Sequence, residues 1–81
     1  MTRENNAIIQ GRLADLLNII DARATISIFE RVGNAEPIIQ SNVQVYEIIA
    51  NHDFMKTYKN YDVIGLRFDL FTTIMIQKNE Y

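Results

Sequence analysis

The sequence predicts an α+β two-layer sandwich, in which an antiparallel four-stranded sheet is covered by an N-terminal helix and a second short helix in the order α-β-β-α-β-β. Three observations predict it. From Tyr61 to Gln77 apolar and polar residues alternate twice around a short break, which is the pattern of a β-hairpin. Ile9, Leu13, Leu16, Leu17 and Ile20 recur at spacings of three and four, which puts one apolar stripe on a helix. Ala24, Ile26, Ile28 and Val32 share one face of an extended segment whose other face carries Thr25, Ser27 and Arg31, the pattern of a half-buried strand.

The elements follow in order. Residues 1–6 form a polar lead-in, with Asn5 or Asn6 as candidate cap of a helix over residues 7–21. Gly11 costs about 1 kcal/mol against alanine inside a helix, so the strongest part runs from Arg12 to Asp21. After the strand over 24–32, Gly33-Asn34 supplies residues that tolerate positive φ and turns the chain. Pro37 has no N–H to give to a ladder, so a strand starts there or runs along an edge. Val43, Val45, Tyr46, Ile48 and Ile49 fit strand and helix periods about equally; β-branching favours an extended Val43 to Tyr46 continuing the Pro37 strand. Asn51 then caps a short helix over His52 to Tyr58, with Asp53 near its positive end. The closing hairpin pairs Asp62 to Phe68 with Thr72 to Gln77, turning Ile64, Leu66 and Phe68 inward against Ile74 and Ile76. Gly65 marks a bulge or a close backbone approach.

With 81 residues the chain is one domain with one core, worth about 3 to 5 kcal/mol of net stability, so a partner or self-association would add appreciably. There is no cysteine, which excludes disulfides, thiolate metal sites and a thiol nucleophile. The start of the sequence shows no secretory pattern, and no apolar run approaches the roughly 20 residues of a membrane helix, so the expected location is cytoplasmic with no membrane partner. Net charge is −2, from eight basic and ten acidic residues, with the basic ones scattered rather than gathered in a stripe. Direct nucleic-acid binding is therefore not expected.

No pattern of catalytic residues stands out, and no cofactor or metal site is expected. His52 is the only histidine; its neighbour Asp53 points elsewhere on a helix, so the pair makes no dyad, and a surface or capping role is expected. Glu30, Glu36, Glu47, Asp62 and Asp69 fall on separate elements without metal-ligand spacing. Gly11, Gly33 and Gly65 are isolated and form no phosphate cradle. An enzyme is accordingly not expected. The aromatic residues of the second half are the better clue, because tyrosine brings contact area with a polar tip. Phe54, Tyr58 and Phe68 have the spacing of core residues. Leu70 and Phe71 stand where a hairpin turn ordinarily carries Asn, Gly or Asp, and so make an apolar knuckle. Leu70, Phe71, Tyr46, Tyr58 and Tyr61 are the candidate partner-binding residues.

Leu13, Leu16, Leu17, Ile20 and Asp21, then Ile26 and Ile28, then Tyr61, Val63 and Leu66, and finally Ile74-Met75-Ile76 make a layout that resembles a loose group of small, uncharacterised α+β proteins of phages and prophages of Gram-positive bacteria. The resemblance covers residues 12–77 and rests on core positions. The apolar Leu70-Phe71 link, in place of a polar turn, and the longer N-terminus depart from the group. The resemblance implies an accessory protein acting by protein binding on a host or phage protein, including inhibition of a host defence system such as a CRISPR effector. The alternatives are a protein that sequesters a nucleotide signal, with Tyr46, Tyr58 or Tyr61 stacking on a base and Arg31, Arg67, Lys56 or Lys59 meeting phosphate, and a structural oligomeric phage component. A homodimer with Phe71 between the chains is also expected.

Overall fold

The structure, a computed structural model, describes residues 11–68 and 71–78. Helix α1 spans Leu13–Ile19, strand β1 Thr25–Arg31, strand β2 Ile38–Gln44, helix α2 Val45–Ala50, helix α3 His52–Tyr58, strand β3 Asp62–Phe68 and strand β4 Thr72–Gln77. The α+β class and the four-stranded sheet are as the sequence predicts. Residues 7–10 of the expected N-terminal helix and its Asn5 or Asn6 cap lie outside the described residues, as does Leu70; Gly11 and Arg12 are not helical, Arg12 being extended and bridged to Asp62, and the helix ends at Ile19 rather than Asp21.

The sheet is mixed, not antiparallel. Its order is β2-β1-β4-β3: β1 pairs antiparallel with β2, β3 antiparallel with β4, and the two hairpins join through a parallel β1–β4 ladder running without interruption from Ile26↔Thr72 to Arg31↔Gln77. The physical reason lies in which strands are apolar. β1 and β4 carry Ile26, Ile28, Ile74 and Ile76, all fully buried, and take the centre, while β2 with its Gln, Ser and Asn and β3 with Asp62, Gly65 and Arg67 take the edges. Helices α2 and α3 carry the chain from the β2 edge to the β3 edge, so β4 returns beside β1 in the same direction.

Two helices stand where one was expected. β2 ends at Gln44, and Val45–Ala50 is helical rather than extended. The Val45 and Tyr46 N–H groups donate to the Ala24 and Ala22 carbonyls, and Val45 and Ile48 bury on one helical face. Burying that pair in the core outweighs the β-branched preference for a strand. The short helix α3 forms as the sequence predicts: Asn51 Oδ1 accepts from the Phe54 N–H at 3.1 Å, and Asp53 sits in the first turn.

The three helices of the described residues pack on one face of the sheet. Leu13, Leu16 and Leu17 of α1, Val45 and Ile48 of α2 and Phe54 of α3 meet Ile26, Ile28, Val63, Ile74 and Ile76 in a single core. The inward set of β3 differs from expectation. A register shift between Val63 and Gly65 makes Val63 the residue opposite Ile76, so Val63 is buried and Leu66 packs against the core, while Phe68 remains 68% exposed. The bulge foreseen at Gly65 is thus present, and the close approach there is to Met75 of β4, not to a helix: a Cβ at position 65 would lie 3.3 Å from Met75 Cβ. Val32, expected to face inward, is exposed, because the ladder has ended and the chain turns at Gly33 (φ 62°) between the reciprocally bonded Val32 and Ala35.

Candidate functional site

Among the described residues, no helix covers the second face of the sheet. Strand alternation sends Phe29 and Arg31 of β1 and Thr73 and Met75 of β4 to that face, opposite the buried Ile28 and Ile74. The bulge in β3 brings Ile64 to the same place, and Gly65, lacking a side chain, leaves room above Met75. The result is an open depression of about 270 Å³ with Phe29, Ile64, Leu66 and Met75 as its apolar lining and Arg31, Arg67 and Glu36 at its margin. Arg31 Nη2 donates to Glu36 Oε2 at 3.1 Å, with both side chains nearly half exposed. A pair so open to solvent contributes little to stability, 0 to about 1 kcal/mol, and is free to exchange partners. Next to the depression, Ser27 is the one buried polar residue among those described: its hydroxyl oxygen accepts from the Asn42 N–H at 3.1 Å, holding Asn42 in the left-handed region (φ 54°) and bending the β2 edge.

Such a face is unusual for what lies beneath it. Parallel strands ordinarily have both faces covered and read as continuous apolar runs. Ile74-Met75-Ile76 is such a run, at the centre of the sheet, yet among the described residues only its Ile74 and Ile76 side is covered by helices.

Tyr46, Tyr58 and Tyr61 lie elsewhere. Tyr58 and Tyr61 pack against the core on the helical side, where the Phe54, Tyr58 and Tyr61 rings follow one another at 4.8 Å between successive centroids. Burial raises the pKa of Tyr58 above the usual tyrosine value, and the nearby Glu30 carboxylate and the Tyr61 hydroxyl raise it further. Burial and then Glu30 act in the same direction on Tyr61. These two rings are thus structural groups closing one end of the core, and they lie across the sheet from Arg31 and Arg67. Of the phosphate-binding candidates of the nucleotide reading, Arg31 and Arg67 are thus not brought beside these rings, whereas Lys56 and Lys59 are exposed on and just after α3, the helix that carries Tyr58. His52 is the exposed first residue of α3.

Tyr46 and Phe71, two of the residues singled out in the sequence, are 49% and 58% exposed. Both lie at the end of the molecule where β1 and β4 start: Tyr46 bonds through its N–H to Ala22, and Phe71 immediately precedes Thr72, the partner of Ile26. Sequence reasoning missed Phe29, Ile64 and Met75. The unbroken Ile74-Met75-Ile76 run was the available signal, since an alternating strand with one wet face would carry a polar residue at position 75. No protein-family model, curated protein or solved structure matches the chain.

Proposed function

We propose that this chain is a non-enzymatic protein-binding domain, an accessory protein of the phage type that the sequence resembles, and that it engages its partner through the uncovered face of the sheet. The observation that carries this reading is the apolar depression over the parallel β1–β4 pair, lined by Phe29, Ile64 and Met75 and edged by Arg31 and Arg67. A partner that inserts an apolar side chain there, with a carboxylate beside it for a guanidinium group, covers the second face of the central strands and makes charge-assisted hydrogen bonds at the margin. A host defence complex is the target class the resemblance suggests. The depression is open and smaller than the 300 to 1,000 Å³ typical of small-molecule sites, which favours a protein surface over a sequestered nucleotide.

The test is retention of a bacterial host protein by the immobilised chain, compared with Arg31→Glu/Arg67→Glu and Phe29→Ala variants that keep their circular dichroism. A partner held by the wild type, lost by both variants and accompanied by protection of phage in a defence assay supports the reading. A partner held equally by all three chains, or no retained protein, overturns it.

A further inference from the structure

Seven large hydrophobic residues are exposed among those described, and they are not scattered. Val32 and Ile38 lie at the end of the sheet where β1 finishes. The other five, Ile19, Tyr46, Ile49, Phe68 and Phe71, gather at the opposite end. Ile19 closes α1 just before the turn into β1, the first turn of α2 is bonded to Ala22 and Ala24, Ile49 follows Tyr46 by one helical turn, and the register Phe68↔Thr72 with Ile26↔Thr72 sets Phe68 and Phe71 at the end of the sheet where β1 starts.

From this gathering we infer that the chain forms a two-fold dimer through this end. The five residues are between 41% and 78% exposed, and side chains of this size together offer on the order of 600 Å². That is the upper end of the roughly 300 to 600 Å² of the largest apolar patch on a typical monomer, a size that is often functional. Two copies placed end to end bury about 1,200 Å² in total, the lower edge of stable specific interfaces. The rim selects a second copy as the occupant. It carries both signs, Arg23 against Asp21 and Glu47, so a two-fold axis sets opposite charges of the two copies within reach of each other. An anionic membrane surface would be repelled by the acidic excess. This end is separate from the uncovered sheet face, so each copy of the dimer keeps that face open and the two surfaces are tested independently.

Sedimentation equilibrium of the full chain decides it. The wild type is expected at twice its 9.4 kDa chain mass, and Phe68→Asp/Phe71→Asp at the single mass with unchanged circular dichroism, self-association weakening about 100-fold or more for the loss of two central rings. Should the double variant fail to fold, Ile19→Lys gives the same reading, since a cation at the C-terminal end of α1 suits the helix dipole. Val32→Asp, at the far end, should remain dimeric. A wild type that sediments as a monomer, a dimer that survives the patch substitutions, or a Val32→Asp chain that becomes monomeric overturns the inference.

Discussion

Leu17 is one of the two almost fully buried leucines of α1, and its truncation gives a quantitative test of the fold. The side chain is 1% exposed and belongs to the core formed with Ile26, Ile28, Ile74 and Ile76. Leu17→Ala removes three buried carbons, about 2.4 kcal/mol of transfer free energy at ~0.8 kcal/mol each. A residual cavity of roughly 60 Å³ adds about 1.4 kcal/mol at ~24 cal/mol per Å³. The expected loss is therefore about 3 to 4 kcal/mol, comparable to the whole of the roughly 3 to 5 kcal/mol of net stability available to a core of this size. In thermal unfolding followed by circular dichroism at fixed protein concentration, the midpoint should fall by at least about 12 °C. Asn18→Ala, one residue on and exposed, should leave the midpoint within about 3 °C. Equal midpoints for Leu17→Ala and wild type would refute the packing of α1 described here.

Further outcomes follow from single contacts. Asn51→Ala removes the acceptor for the Phe54 N–H and should cost about 0.5 to 2 kcal/mol in denaturant titration, with Asn51→Asp close to wild type. Ser27→Ala leaves the Asn42 N–H without its hydroxyl acceptor in a half-buried place and should cost about 1 to 3 kcal/mol, whereas Ser27→Thr should cost less. Because the pKa values of Tyr58 and Tyr61 are raised in the folded protein, the unfolded chain gives up these protons first as pH rises. Their contribution to stability is full below the ordinary tyrosine value near pH 10 and is lost as pH climbs through the raised values. Tyrosinate absorbance should show Glu30→Gln lowering the late-titrating part of the curve, and an unchanged curve would separate Glu30 from these rings.

The sequence made the local features of this fold readable and left its long-range pairing hidden. The Asn51 cap, the Gly33 turn and the bounds of β3 and β4 are written in residues whose chemistry acts within a few positions. The parallel β1–β4 ladder is not, because the same alternating strand satisfies either direction of pairing, and only the passage of α2 and α3 between the two sheet edges decides it. The β3 bulge likewise stayed hidden: a single extra residue at Ile64 puts Val63 in the core where alternation back from Leu66 predicts Ile64, while Phe68, on the same face as Leu66, lies exposed at the end of the strand. Of the candidate site, Tyr46 and Phe71 were visible as aromatic residues in exposed places, and Tyr58 and Tyr61 were visible for the same reason but serve the core. The uncovered face was missed because its members, Phe29, Ile64, Gly65 and Met75, come from three strands and converge only once the sheet is ordered.

Methyl resonances of the methionines test the sheet-face reading most directly. The chain has three, and two of them report on opposite sides of the sheet: Met75 lines the depression, and Met55 packs beside the core on α3. With methyl-labelled methionine and the host protein retained by the wild-type chain, titration should shift or broaden the Met75 signal while the Met55 signal stays in place. A Met55 signal that moves while Met75 does not would put the partner on the helical side and contradict the account.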